Sequence, residues 1–114
     1  MNRAVILATT IITLALVSGC QTSTKYQNMQ VALSGSPALK KKTIAECSVK
    51  FHFHNEAEKA NAAAMMNVSP ARAQATLCNR VINAIANGRM KYSDYLAARR
   101  GGDMSNLIRI IQGR

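Results

Sequence analysis

Residues 69–88 read SPARAQATLCNRVINAIANG, and this stretch predicts one amphipathic helix. Ser69 is of a type that caps helix N-termini, Pro70 suits the first helical turn, and Gly88 stands where a helix ends. Between these signals, apolar residues recur at spacings of three and four, which places them on one helical face. The predicted apolar face consists of Ala71, Ala75, Cys78, Val81, Ile82 and Ile85.

The beginning of the chain has the pattern of a secretory signal. A positive start at residues 1–3 precedes residues 4–17, an uncharged apolar run that is too short to span a bilayer comfortably. Val17, Ser18 and Gly19 then precede Cys20. These residues resemble the lipobox of bacterial lipoproteins, in which an aliphatic residue and two small residues precede the modified cysteine. The resemblance covers residues 1–20, and the alternative is an ordinary secretory signal with Cys20 near its cleavage site.

The lipobox resemblance implies a membrane anchor. In such lipoproteins the signal peptide, here residues 1–19, is removed, and the cysteine, here Cys20, becomes an N-terminus with three acyl chains of the palmitate type. Two or more acyl chains make anchoring stable, whereas one gives marginal binding. Gln21 follows, whereas an aspartate at this place holds many Gram-negative lipoproteins in the inner membrane. By analogy, the anchor belongs in the inner leaflet of the outer membrane, facing the periplasm.

The mature chain is short enough for one domain at most. Residues 20–42 are expected to form the lipidated N-terminus and a flexible tether, because they are polar and contain Ser-Gly-Ser-Pro at 34–37. A flexible segment of about 20 residues spans roughly 25 Å, enough to hold a domain away from the headgroups. Residues 29–33 could form a short strand, although their flanks favour a loop. Residues 43–114 then form a small helical domain, near the size at which a covalent staple is needed.

A disulfide between Cys47 and Cys78 is the expected staple. Once Cys20 is acylated, these are the remaining thiols, and an exported chain enters an oxidising compartment. Closing this loop in the unfolded chain contributes about 3–4 kcal/mol to stability in the entropy model. The alternatives are a mixed disulfide with a partner and a pair of free thiols.

The pairing of these cysteines also predicts a bend in the chain. Asn55 and Asn67 favour the start and the stop of a helix over the intervening residues. Residues 47–54 alternate like a strand, yet Ile44, Cys47 and Phe51 also fit one helical face. In a plain helical hairpin turning near residue 68, the two cysteines would lie about 15 and 31 Å from the turn. Because a disulfide needs Cα atoms within roughly 7 Å, we expect a break at residues 52–56.

Beyond Gly88, the sequence predicts two shorter helices. The first runs from about Ser93 to Arg100, with Ser93 as its cap, and ends at the glycines of positions 101 and 102. Asp103 or Ser105 caps the second. Its expected apolar edge consists of Leu107, Ile108 and Ile111.

Residues 81–100 are similar to the short bacterial C-terminal oligomerisation hairpin. Gly88, Met90, Asp94 and Tyr95 match its pattern of a glycine, an aliphatic residue and an acidic–aromatic pair. Lys91 departs from it, because that family has a capping Ser or Thr at this place. The resemblance implies that the chain can self-associate.

Charge gives the main indication of partners. Without residues 1–19 the chain keeps 14 basic against 5 acidic residues, and from Arg72 onward it has 8 basic and 2 acidic residues. Such a surplus attracts polyanions, which in an envelope are phospholipid headgroups, lipopolysaccharide phosphates and acidic sugars. The alternative is a basic surface that keeps a small protein soluble. The candidate anion contacts are Arg72, Arg80, Arg89, Lys91, Arg99 and Arg100.

No pattern of catalytic residues is visible in the sequence. His52 and His54 alternate on one segment and are weak candidates for a metal pair with Met65 and Met66. Two imidazoles do not close a metal site, and no carboxylate or thiolate at ligand spacing completes it. The histidines are therefore expected to face solvent, and Met65 and Met66 to fill space in a core. We predict no enzyme activity, no cofactor and no nucleic-acid binding, because no recognition motif is visible.

The sequence thus predicts a mainly α, disulfide-stapled domain on a lipidated tether. We expect a structural or interaction role in the envelope, with the basic C-terminal half contacting anionic polymer, anionic lipid or another envelope protein. One alternative is an accessory lipoprotein subunit of a secretion or conjugation assembly. Another is periplasmic metal handling.

Overall fold

The computed structural model describes residues 23–114, and these residues form six helices and no strand. The predicted mainly α fold is thereby confirmed. Helix α1 comprises residues 23–35. The other helices are α2 (Pro37–Lys50), α3 (Glu56–Met66), α4 (Pro70–Ala86), α5 (Tyr92–Arg100) and α6 (Ser105–Ile111).

Helix α4 lies at the centre of the domain and contacts α2, α3 and α6, while α5 packs on α6. Its second half belongs to the main hydrophobic cluster, because Ile82 and Ile85 repeat at helical spacing and face the other apolar side chains. The buried members of this cluster are Tyr26, Leu33, Ile82, Ala84, Ile85, Met90, Leu107 and Ile110.

The first half of α4 differs from the predicted apolar face. Ala71 and Ala75 are exposed, whereas Ala73, which lay outside the predicted face, is completely buried. Ala73 packs with Ala63 and Met66 of α3 in a second cluster. Alanine suits this place because its small side chain lets two helices approach closely. In an alanine-rich stretch the choice of the buried position depends on the neighbouring helix, so the periodicity alone pointed to the wrong alanines.

Both ends of α3 are as the sequence predicts. The side-chain oxygen of Asn55 accepts a hydrogen bond from the backbone N–H of Glu58 at 2.8 Å, which satisfies one of the free donors of the first turn. Asn67 ends the helix in the left-handed conformation, with φ 58°, which asparagine tolerates better than most residues.

The predicted tether is wrong for residues 23–42, which are helical except for Ser36. Tyr26 and Leu33 are only 6% and 2% exposed and belong to the main cluster. These apolar residues lie seven positions apart, so they share one helical face, but they are too sparse to stand out from a polar background. Ser36 interrupts the helix and caps α2, since its side chain accepts the N–H of Leu39 at 3.1 Å. Residues 20–22 of the tether lie outside the described residues.

The predicted disulfide and the predicted bend are both present. Cys47 on α2 and Cys78 on α4 are bonded, with their Cα atoms 5.8 Å apart. Helix α2 ends at Lys50, and residues 51–55 form a nonhelical connection to α3. Residues 43–54 are therefore helix up to residue 50 and loop beyond it, rather than a strand.

The cap of α5 differs from the prediction. Lys91, not Ser93, is the N-cap residue, and the Asp94 carboxylate accepts the Lys91 N–H at 2.8 Å. Because an acidic side chain at this third helical position reaches back to the cap, it fixes the start of the helix. The helix ends at Arg100, and Gly101 has φ 83°.

Helix α6 confirms Leu107 of the predicted apolar edge, but it buries Ile110 in place of Ile108. Leu107 and Ile110 are buried, Ile111 is partly buried, and Ile108 is 40% exposed. The Asp103 carboxylate accepts the N–H of Ser105, the first helical residue, at 3.0 Å. Asp103 thus assists the start of α6, as predicted, although Met104 is the N-cap residue.

Candidate functional site

The proposed lipid attachment residue, Cys20, lies outside the described residues, so lipidation stays a prediction. Among residues 23–114, no helix is both long enough and apolar enough to cross a membrane.

Five of the six candidate anion contacts are exposed: Arg72, Arg89, Lys91, Arg99 and Arg100. Within the described part of the chain, the side chains of Arg72, Lys91 and Arg100 donate no hydrogen bond. Their positive charges are therefore available to a ligand. Arg72 lies on the outer face of α4, Lys91 at the start of α5 and Arg100 at its end.

Arg80 is held inside the fold and is not a free contact. It is partly buried, and its Nη1 donates to the carbonyl oxygens of Met66 at 3.2 Å and Ile111 at 2.6 Å. These carbonyls belong to the last residues of α3 and α6, where the helix dipole favours a cation. Arg80 thus joins three helices, and this role could not be predicted from its position on a polar helix face.

Arg89 and Arg99 are exposed but have partners. Arg89 donates through Nη2 to the backbone oxygen of Arg114. The Nη1 of Arg99 donates to the Tyr95 hydroxyl at 2.7 Å, and its guanidinium lies 5.7 Å from the Tyr95 ring centroid. A guanidinium has five N–H donors, so each arginine keeps donors for an external anion.

The acidic residues of the C-terminal half bind neutral donors. Asp94 is buried and accepts the amide of Asn106 at 2.7 Å in addition to the Lys91 backbone N–H. Asp103 accepts the hydroxyl of Ser105 at 2.5 Å and its backbone N–H, and these bonds lower the pKa of the Asp103 carboxyl. Since neither carboxylate accepts a hydrogen bond from a basic side chain among the described residues, the local surplus of positive charge is not neutralised through such pairs.

The three tyrosines of the chain form one cluster, which the sequence did not predict. Tyr26 lies 5.5 Å from Tyr92 and 5.7 Å from Tyr95 between ring centroids, and Tyr92 and Tyr95 are stacked at 6.0 Å. We call Tyr26, Tyr92, Tyr95 and Arg99 the tyrosine–arginine cluster. The spacing of Tyr92, Tyr95 and Arg99 at three and four residues is a signal for a shared helical face. Tyr26 lies in the segment for which the sequence predicts a tether, so no local signal places it beside them.

Tyr26 fixes this cluster to the core. Its hydroxyl donates to the carbonyl oxygen of Met90 at 2.6 Å, in a buried hydrogen bond between α1 and the loop before α5. Burial, with a smaller contribution from the negative charge of Asp94, raises the pKa of Tyr26 to about 12.

The histidines and methionines are not brought together as a metal site. His52 and His54 are exposed on the connection between α2 and α3, while Phe53 between them packs into the second cluster. Met66 is buried in that cluster and Met65 is 40% exposed. In residues 23–114, no three or more His, Cys, Asp or Glu side chains are grouped to hold a metal ion.

Comparisons with family models, curated proteins and solved structures found no match to this chain. The resemblances to the lipobox and to the oligomerisation hairpin therefore stay predictions from the residues that carry them.

Proposed function

We propose that this protein is a lipid-anchored envelope component with a structural or interaction role. Its basic C-terminal half contacts anionic envelope polymer or another envelope protein. The lipobox-like residues before Cys20 support the anchor. The exposed cations at Arg72, Lys91 and Arg100, which have no carboxylate partner among residues 23–114, support the anionic ligand.

The placement of the two acidic residues is the observation that carries the proposal. Among residues 23–114, Asp94 and Asp103 accept hydrogen bonds from amides or a hydroxyl and from no basic side chain, although the charge of Arg109 acts on Asp103. From Arg72 onward, 8 basic residues face 2 acidic ones, so the charge of this half is net positive, and the exposed side chains of Arg72, Lys91 and Arg100 present it to solvent. Such a field concentrates polyanions near the protein, and salt weakens the attraction because the charges are exposed.

Retention on immobilised lipopolysaccharide tests the contact. Arg72→Gln/Lys91→Gln/Arg100→Gln should elute at clearly lower salt than the wild-type protein. The matched control is Lys41→Gln/Lys42→Gln/Lys50→Gln, which removes the same charge from exposed positions of α2. Equal losses in the two variants would show that total charge, not the C-terminal half, decides binding.

Fractionation of cells tests the anchor separately. Cys20→Ser should move the protein from the membrane fraction to the soluble fraction, because it removes the thiol that carries the lipid. Intact-mass measurement of the wild-type protein should show a mature chain that begins at Cys20 and carries acyl groups. A mature chain without a glyceride would overturn the proposed anchoring.

A further inference from the structure

We propose that the tyrosine–arginine cluster rests on the phospholipid headgroups of the bilayer that holds the anchor. This inference depends on the proposed lipidation of Cys20 and adds which face of the domain meets the membrane.

The length of chain before the cluster limits its distance from the anchor. Six residues lead from Cys20 to Tyr26, and six residues reach at most about 22 Å when fully extended. Tyr26 is itself fixed, since it is 6% exposed and bonded to the Met90 carbonyl. The folded domain therefore starts close to the acylated cysteine, rather than at the end of a long flexible tether.

The order of contacts along α1 shows which part of the domain is nearest to the anchor. At its first turns, Tyr26 meets Tyr92 and Tyr95 of α5. One turn later, the side chain of Gln30 lies beside Gly88. At the end of the helix, residues 34 and 35 line a depression together with residues 86 and 87 of the α4 end. Helix α5 is thus placed at the anchor-proximal end of α1.

The chemistry of this end suits a lipid headgroup layer. Tyr92 and Tyr95 are partly exposed, and tyrosine rings combine an apolar body with a polar tip, as interfacial aromatic residues do. Arg99 is exposed above the Tyr95 ring and keeps guanidinium donors that match a phosphate. Lys25, next to Tyr26 in α1, is also exposed. Basic side chains near a bilayer are attracted to anionic lipids.

Anchoring makes a weak contact sufficient. A short connection keeps the cluster at a high effective concentration near the headgroups, so the surface need not bind lipid tightly by itself. The same patch on a free domain would show little affinity.

A tryptophan probe tests this orientation, because the chain contains no tryptophan. The lipidated Tyr92→Trp protein is reconstituted into vesicles of phosphatidylethanolamine and phosphatidylglycerol, and quenching by headgroup-labelled lipid is measured. The control is lipidated Phe53→Trp. Phe53 packs against the cluster of Ala73, whereas Tyr92 packs against the cluster of Ile85. Ala73 and Ile85 lie twelve residues, or about 18 Å, apart along α4. We expect several-fold stronger quenching of Tyr92→Trp than of Phe53→Trp, and circular dichroism verifies that both variants fold.

Two results would overturn the orientation but not the anchor, provided that the protein floats with the vesicles. One is equal quenching of the two probes, and the other is no quenching of either probe. If quenching occurs only when the vesicles contain lipopolysaccharide, the proposed contact with phospholipid headgroups is overturned, and lipopolysaccharide is the ligand of the cluster. If the wild-type protein does not float with the vesicles, the proposed anchor fails, and this inference fails with it.

The role of Arg99 is tested in the same vesicles. Adding Arg99→Gln to the Tyr92→Trp protein should reduce quenching, while Arg109→Gln on α6, which is also an exposed position, should leave it unchanged. Equal effects would show a general charge attraction and overturn the specific face.

Discussion

Helices α2 and α4 are of similar length and carry one cysteine each, but they are attached to the domain in different ways. Helix α4 buries five residues and belongs to both hydrophobic clusters. Helix α2 buries none. It is held by the bond from Cys47 to Cys78, by partly buried Ile44 at the main cluster, and by a hydrogen bond from the Gln74 amide to the Ser48 carbonyl.

The comparison shows two ways of fixing a helix in a small domain. Burial of an apolar face stabilises α4 directly, because apolar area is removed from water. Helix α2 has little such area to bury, so its stability depends on a covalent bond that restricts the unfolded chain. The position of the cysteines in the fold therefore matters more for α2 than for α4.

Removing the disulfide should have the largest effect and should act mainly on α2. Cys47→Ser/Cys78→Ser, which leaves no unpaired thiol at either site, should lower the free energy of unfolding by about 3–4 kcal/mol. Denaturant unfolding measures this loss, and hydrogen exchange should show α2 amides losing protection before those of α4. Simultaneous loss in both helices would mean that α2 is integral to the same cooperative unit.

Truncation of a buried side chain on α4 should have the next largest effect. Ile85 is 5% exposed, and Ile85→Ala should cost about 2–3 kcal/mol, because the helices of a small domain relax into part of the cavity. The control on α2 is Val49→Ala, at a side chain that is 74% exposed, where we expect a change within about 0.5 kcal/mol. A comparable loss at Val49 would contradict the superficial attachment of α2.

Helix α1, like α4, is attached through buried side chains of the main cluster. The substitution Tyr26→Phe tests how much the hydrogen bond from the Tyr26 hydroxyl to the Met90 carbonyl adds to this attachment. Near neutral pH, loss of the hydroxyl bond to Met90 should cost about 1 kcal/mol. Since the folded pKa of Tyr26 is raised to about 12 from 10, its stabilisation is present below pH 10 and is lost as pH rises towards 12.

The difference in unfolding free energy between wild type and Tyr26→Phe should therefore shrink once the pH exceeds 10, and it should change sign before pH 12, because the linkage loss then exceeds about 1 kcal/mol. Urea unfolding at several alkaline pH values measures it. A constant difference would show that the Tyr26 phenol titrates alike in the folded and unfolded chains.

Substitutions at the helix caps should have the smallest effects on stability. Here the loss should be larger for α2 than for α4. The Ser36 side chain accepts a backbone N–H at the start of α2, whereas the Ser69 side chain makes no cap hydrogen bond at the start of α4. Ser36→Ala should cost about 0.5–1 kcal/mol, and Ser69→Ala should lie near zero. Thermal melts of both variants test this, and an equal cost would argue that α4 also depends on its cap.

The sequence predicted best where one signal was strong and local. Helix α4 was predictable from a serine at its N-cap position, a proline in its first turn and regular apolar spacing. Asn55 and Asn67 lie at the start and the end of α3, as predicted. The bend between α2 and α3 followed from covalent geometry, because the two cysteines could not otherwise meet. Each of these inferences needed no knowledge of the remaining fold.

Errors arose where a partner elsewhere in the chain decides the outcome. Ala73, not Ala71 or Ala75, is buried because α3 approaches that side of α4. Arg80 looked like a surface cation, but it lies between the ends of α3 and α6.

The amino-acid sequence by itself determined the helical class, the position of the central helix and the pairing of Cys47 with Cys78. Spacing, capping chemistry and covalent limits act within a few residues or through one bond, so they can be read along the chain. Tertiary structure alone decided that residues 23–42 join the domain and that the three tyrosines meet. Sparse apolar residues such as Tyr26 and Leu33 gain their stability from distant neighbours, and that burial is invisible until the helices pack.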